Sequence, residues 1–540
     1  MTASFSLISA PWIRVRTSTG AIEEVSIRDA FRRAGEFIGL AGEIPMQDMA
    51  VLRLLLAIAY RATHDIRNED EAVVLWGSWW ADGLPLDQID AYLDQYAARF
   101  DLLDADRPFF QVAGLRTEKG STSGLDKLIA EVPSGSKFFT TRDGAGIESL
   151  SLAEAARWLV ALHSSDISGI KSGAVGDDRV KGGKGYPIGT GITGRIGLVV
   201  AEGASLRETL LLNLVLPMSS DDDSTPWERN QDDAGENWLH SELTGITDLY
   251  TWQTRRARLI LNGDHVVDAL VCNGDKIGPQ NLQRFEPMSS WRYSEPQTKK
   301  LKQDTWMPRT HNPARAIWRG LEPLLQRDVP NRKTIRPALF DWASRLRESG
   351  VIPQDALVSV RVVGFEYGPQ ESSLAAAVDD SLPMSVALLD DESLAGLAIW
   401  AAGLAQWAVI DVANLATNLA RAAGVDPGPR RDQAFTEAYD AVDPLYRRWV
   451  RDLTSDSSIP EREGAWRTAV RQRMTVLGGD MCRDGGRAAV VGRTDPATGQ
   501  AMDTARAWSI FLTQLRRHTS TDGAATLQSE ADADEEESNE

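Results

Sequence analysis

The chain has 540 residues, 42% hydrophobic and 25% charged, which describes a folded protein large enough for two or more domains with sizeable cores. A formal net charge of −19 argues against indiscriminate wrapping of nucleic acid, because a protein that holds many phosphates is normally basic. Its two cysteines, Cys272 and Cys482, lack metal-type spacing, so neither a disulfide framework nor a zinc site is indicated and a reducing cytoplasm fits.

From the N-terminus, residues 5–28 alternate apolar and polar side chains in two short runs around Thr17 to Gly20, the pattern of a β-hairpin, and a helix is expected to open near Asp29. The start of the chain lacks a charged lead and a long apolar core, and no uninterrupted apolar run approaches about 18 residues. The chain therefore reads as neither exported nor membrane-spanning. Pro45–Ala62 is apolar nearly all round and predicts a buried helix. His64 and Asp65 follow it, and with only six scattered histidines in the chain they read as a helix-terminal pair rather than a metal centre. Residues 106–112, DRPFFQV, read as a core strand. Lys137, Phe138, Phe139 and Arg142 then place two aromatics among bases, which suits either buried strand aromatics or stacking on unpaired nucleotides.

Residues 168–197 differ from everything around them, with ten glycines and with Lys171, Arg179, Lys181, Lys184 and Arg195 against only Asp177 and Asp178. Glycine loses the most backbone entropy on ordering, so a folded chain keeps such a run for backbone that must approach something closely. The local charge points to an anion, for which Gly-rich turns offer concave N–H sites. A disordered loop is one alternative. Another is a nucleotide site, since Gly189 to Gly194 spells GxGxxG, but the preceding KGGKGYPI is no buried strand and the following RIGLVVAEG reads as a strand, not a helix.

Beyond this stretch, Ser205 and Glu208 have capping-box spacing and predict a helix ending before Pro217. Strands are expected over residues 251–261, 266–271 and 357–367, with Lys276 and Arg284 on the loops between. Residues 292–336 carry eleven Lys and Arg against four acids, with Trp291, Tyr293, Trp306 and Trp318 interleaved. The strand at 357–367 ends in Gly368-Pro369-Gln370-Glu371, a polar tip on a stiff ribbon. Four amphipathic segments, near residues 394–423, 431–453, 459–477 and 502–518, predict an antiparallel bundle. The expected fold is α+β: a large mixed α/β N-terminal domain over 1–389, an all-α four-helix bundle over 390–520, and a disordered acidic tail over 521–540.

In this order, SLISAPWIRVR, DRPFFQV, KFFTTR, the glycine stretch before SLRETLLLNLVLP, the tip YGPQES and the terminal helices resemble the CasA family, the large subunit of the type I-E CRISPR Cascade surveillance complex. The resemblance implies a subunit without catalytic chemistry, metal or cofactor. It would read a short adjacent motif, the PAM, from the minor groove of double-stranded target DNA while guide RNA reads sequence by pairing. It further implies a glycine loop at Gly169, Lys171 and Gly173, a wedge at Gln370, a lysine finger supplied by Lys276 or Arg284, and contact of Phe139 with the guide RNA 5′ end and the neighbouring subunit. The implied partners are the backbone and small Cascade subunits and the CRISPR helicase-nuclease, whose docking a shift of the bundle would promote. A nucleotide-binding enzyme using Gly189 to Gly194 and a helical adaptor without nucleic-acid role are the alternatives.

Overall fold

The computed structural model describes residues 4–66, 68–132, 148–216, 218, 221–229, 234–235, 243–326, 333–494 and 499–520. Phe139 and its basic neighbours, and the acidic residues 521–540, lie outside them. The described residues fall into two compact units, one within Met1–Arg315 and Arg327–Ser381, the other within Ala316–Gln326 and Leu382–Glu540.

The first unit is mixed α+β with several small sheets. The expected hairpin joins β1 (Ile13–Thr17) to β2 (Ile22–Val25) through a turn closed by the Gly20 N–H on the Thr17 carbonyl, and β3 (Phe37–Leu40) pairs with the other edge of β1. Helix α1 (Pro45–Ala62) has proline in its first turn and is buried on nearly every side, as its uniform apolarity predicts. Its one deeply buried cation, Arg53, donates to Glu286 Oε2 at 2.7 Å and lies over the Tyr250 ring, so the charge is paired rather than stranded. Helix α2 (Leu152–Ser165) starts at Ser151, whose hydroxyl accepts from the Glu154 N–H, and packs against α1.

The glycine stretch forms two short strands, β4 (Lys171–Ser172) and β5 (Lys184–Gly185), paired antiparallel. They are followed by β6 (Leu198–Glu202) and α3 (Leu206–Leu212). Ser205 caps α3 by accepting from the Glu208 N–H, while the Glu208 carboxylate accepts from the Ala204 N–H one residue before the cap, a reciprocal arrangement close to the one the spacing predicts. Next come β7 (Arg255–Asn262) and β8 (His265–Asn273), an antiparallel pair; β8 also meets β4 in parallel at Ser172 and Cys272. The unit closes with β9 (Leu357–Tyr367), antiparallel to β6, and with the first part of β10 (Leu374–Ser385) on its other side, the strand running on past Ser381 into the second unit.

One expected strand is absent. Residues 106–112 form turns: Pro108 has no N–H to donate, and Phe110 takes a left-handed φ of 55° that no ladder accommodates. The aromatics are nevertheless core, with Phe109 stacked against Phe100 and Trp227. The segment is tied to β7 by Gln111, which accepts from the Leu259 N–H, and by the Val112 N–H, which donates to the Ala257 carbonyl.

The second unit is a run of long packed helices: α4 (Glu392–Ala423), α5 (Pro427–Arg451), α6 (Ile459–Asp484) and α7 (Thr504–His518). Asp391 caps α4 and left-handed Gly424 ends it. By length and composition α4 could cross a membrane, a property that counting uninterrupted apolar letters missed because Gln406, Asp411 and Asn414 break the string. It is instead the central helix, packed by α5, α6 and α7. Two indole and phenol donors fix it: Tyr446 Oη donates to the Ala398 carbonyl at 2.8 Å and Trp466 Nε1 to the Ala401 carbonyl at 2.9 Å. The unit also takes in Ala316–Gln326, where Trp318 stacks on Tyr446 and donates to Asp443.

Candidate nucleic-acid interface

Asp166 stands at the C-terminus of α2 and organises the glycine stretch. Its Oδ2 accepts from Lys171 Nζ at 2.6 Å and from Arg255 Nε at 2.5 Å, and all three side chains are buried. Burial alone would raise the Asp166 carboxyl, but the two cations hold it below the ordinary carboxylate range. Arg255 also donates through Nη2 to the Ile167 and Gly189 carbonyls, each at 2.9 Å. Lys171, expected on the DNA-facing loop, thus has its charge turned inward.

Glycine has distinct uses along the stretch. Gly182 and Gly183, both at positive φ, make the two-residue turn between the bridged Lys181 and Lys184 that leads into β5. Gly173 is a close approach within the protein itself, since a Cβ there would lie 2.6 Å from the Gly183 backbone and the Val180 side chain. Gly169 differs from both: its φ is 132° and a Cβ would meet nothing within 4 Å. Of the five cations, Arg179 is held by Asp177 and the Gly274 carbonyl, and Arg195 by Glu371 and Thr190, leaving Lys181 and Lys184 exposed.

The second half of the site is the hairpin between β9 and β10. Its tip contains two consecutive non-glycine residues in the left-handed region, Gln370 (φ 58°) and Glu371 (φ 55°), and the Gln370 side chain is exposed. The tip lies on the glycine stretch. The Ser168 N–H donates to the Glu371 carbonyl at 2.8 Å, Tyr367 Oη to the Ser165 carbonyl at 2.7 Å, and Arg195 Nη2 lies 3.0 Å from Glu371 Oε2. Burial raises the Tyr367 phenol far above its ordinary value, so it remains a donor at any working pH.

Lys276 and Arg284 are both exposed, and Lys276 is flanked on both sides by bonds from the glycine stretch. Arg179 donates to the carbonyl of Gly274 on one side of it and Arg195 reaches the carbonyl of Ile277 on the other. Arg284 lies over the ring of its neighbour Phe285. Beside the tip opens a groove of about 1130 Å³, whose lining includes Arg195, Arg292 and Lys300 together with Tyr367, Glu371 and Asn312. This groove draws on the basic, aromatic-rich region noted in the sequence, although Glu366 and Glu371 on its wall temper the charge.

The GxGxxG letters serve packing. A Cβ at Gly191 would overlap the Ser164 carbonyl, and one at Gly194 would overlap the Tyr367 hydroxyl. Residues 192–195 form a single 3-10 turn, which offers no helix N-terminus to a pyrophosphate. His64 contacts Asp65 and bonds back to the Arg61 carbonyl at the end of α1, the helix-terminal arrangement read from the sequence. Among the described residues no group of three or more His, Cys, Asp or Glu could hold a metal ion.

The site is thus a glycine stretch clasped to a polar hairpin tip, with exposed Lys181 and Lys184 and a partly basic groove alongside. Residues 6–477 match the family described as CRISPR-associated protein Cse1, and the chain belongs to that family, also called CasA, as its sequence resemblance indicates. The crystal structure of Thermobifida fusca Cse1 is similar with a TM-score of 0.88 and 39% identity, covering 96% of this chain and 98% of that one. A curated CasA/Cse1 from Thermus thermophilus is 33% identical over 297 residues, 53% of this chain and only 55% of the relative's length. A chain of a CRISPR RNA-guided surveillance complex shares the fold at a TM-score of 0.70 and 21% identity, covering 95% of this chain and 99% of that one.

Proposed function

We propose that the protein is the large, non-catalytic subunit of an RNA-guided DNA surveillance complex of the type I-E Cascade kind, and that the clasped glycine stretch and hairpin tip read the PAM and begin strand separation. The observation that carries this reading is the Ser168 to Glu371 bond, which sets open Gly169 beside exposed Gln370. Backbone without a side chain can enter a minor groove about 6 Å wide, where the base code is degenerate and recognition correspondingly permissive. A polar side chain beside it can enter the stack and partly replace lost base contacts. Lys276 is the better-supported lysine finger because bonds from the glycine stretch hold its loop on both sides. The acidic whole with local basic surface limits wandering on bulk DNA. Family membership supports the remaining roles: Phe139 toward the guide RNA 5′ end, contacts with backbone and small subunits, and a helical unit whose shift on full target pairing promotes docking of the helicase-nuclease.

The test uses the complex assembled with guide RNA and compares binding to target duplexes with and without the PAM. Replacing Gly169 by valine should remove the preference for PAM duplex by tenfold or more, a loss of the size one readout contact supplies, about 1–3 kcal/mol. Equal weakening on both duplexes would assign the loop to nonspecific contact.

A further inference from the structure

Beneath the reading loop lies a buried charge cluster that is not legible in the sequence. We infer that Asp166 and Arg255 are positioning residues for PAM reading: together they lock the start of the glycine stretch and its Gly189 to Gly191 segment onto the C-terminus of α2, and thereby set Gly169 against the Gln370 tip. This rests on the proposed role of that loop.

Arg255 sits on β7, a strand paired with β8 along its length and therefore rigid. Its planar guanidinium donates to four acceptors: Asp166 Oδ2, the carbonyls of Ile167 and Gly189, and the Thr254 carbonyl. Ile167 immediately precedes the stretch and Gly189 lies in its later part, so one side chain closes the loop between them. Asp166 reinforces the closure from the other direction, because its own carbonyl accepts from the Gly191 N–H at 3.0 Å while its carboxylate faces Arg255 and Lys171. The next residue but one, Ser168, is the one bonded to Glu371. Arg195 completes the frame on the outside, joining Thr190 to Glu371.

A glycine-rich loop has little side-chain packing to hold it, so its conformation must come from such a frame. One carboxylate faces two cations here, and the surplus charge is spread over loop carbonyls, which keeps those carbonyls turned inward. Freed from Arg255, the loop would sample many conformations and lose the registration with the tip on which reading depends.

The experiment compares Arg255→Lys, Asp166→Asn and Gly169→Val in the guide-loaded complex. Lysine keeps the buried charge but has a single ammonium that cannot bridge the two loop ends and Asp166 together. Arg255→Lys should raise amide hydrogen exchange over residues 167–191 and 366–374, leave the melting of the rest of the protein and complex assembly unchanged, and lower PAM preference about threefold to thirtyfold. Asp166→Asn should act in the same direction and more strongly, since it leaves two buried cations unopposed. Unchanged exchange in Arg255→Lys overturns the clamp. Raised exchange with intact PAM preference, alongside a loss in Gly169→Val, overturns the positioning role and leaves the loop as reader. Intact preference in all three variants sinks the reading assignment itself.

Discussion

The N–H of Ser168 donates to the carbonyl of Glu371 across 2.8 Å, joining the first residue of a glycine-rich stretch to the tip of a hairpin that follows it by some two hundred positions in the chain. The same junction is held by Tyr367 on the Ser165 carbonyl and by Arg195 on Glu371. Two features that are ordinary apart become one surface, and it is the place where most substitutions should tell.

Gly169 and Gly173 should respond differently to alanine. At Gly173 the new methyl meets backbone at 2.6 Å, and overpacking of that kind costs about 1–3 kcal/mol. Thermal melting of Gly173→Ala should therefore drop clearly, with PAM binding weakened through a distorted loop. At Gly169 only backbone strain opposes the substitution, about 1–3 kcal/mol confined to a half-buried bend, so DNA readout should suffer more than melting does. Equal effects of both variants on melting would contradict this division.

The wedge at Gln370 can be separated from its backbone. Gln370→Ala should slow opening of a fully paired target and spare one carrying a pre-melted bubble beside the PAM. Gln370→Gly should open paired target just as slowly, yet leave the tip as stable or more so, because glycine relieves a left-handed strain of about 1–2 kcal/mol. Stopped-flow measurement of strand opening on the two targets decides it; unchanged rates in both variants remove the wedge.

Lys276→Ala should weaken duplex binding more than Arg284→Ala, since Arg179 and Arg195 of the glycine stretch hold the backbone on both sides of Lys276. If Lys276 meets a phosphate, the slope of log affinity against log salt should fall by about one. A larger loss from Arg284→Ala would reverse the assignment.

His163 supplies a pH dependence. Burial drives its ring down to about 3, with the hydrogen bond to the Phe110 carbonyl opposing only in part, so it is neutral when folded and Nε2 is the donor to Phe110. The unfolded ring takes a proton near pH 6.5, so the unfolded state binds more protons between about 6.5 and 3. Stability should fall through that window as pH drops, by at most about 1.4 kcal/mol per pH unit from this group. Denaturant unfolding at pH 7, 5 and 4 should show a shallower acid loss for His163→Gln than for the wild type; parallel curves would mean the ring is protonated when folded.

Trp318 should matter to the helical unit although it precedes that unit's first long helix by some seventy residues. Trp318→Phe removes the bond to Asp443 but keeps a ring against Tyr446, a loss of about 1 kcal/mol. Trp318→Ala empties a fully buried site and should cost about 3–5 kcal/mol. Calorimetry reads both, and near-neutral behaviour of the alanine variant would show that the upstream segment is not part of this core.

Much of the architecture was legible because it depends on local rules. The bounds of α1 followed from its apolar run and its leading proline, the start of α3 from the Ser205 and Glu208 spacing, although that helix ends at Leu212 rather than just before Pro217, and β9 from its partial alternation. The strand expected at 106–112 failed because composition cannot register a left-handed Phe110, whose carbonyl is held by a histidine more than fifty residues later. Along β7, Arg255 and Arg256 are both buried, each opposite an aspartate distant in sequence or on the following loop, a pairing that composition cannot register.

The sequence by itself determined α1, the bundle helices, the strand β9 with its polar tip, the order of segments that marks the family, and the singularity of the glycine stretch, since periodicity and composition are properties of neighbouring residues. Tertiary structure alone decided which charges of that stretch face outward, which glycines make room for the protein's own backbone, and that Gly169 stands beside Gln370. Lysine reads the same in a string whether its ammonium meets water or Asp166. Only the packing of α2, β7 and the hairpin brings Asp166, Arg255 and Glu371 within bonding distance of the loop, and that distance is set by side chains scattered over two hundred residues.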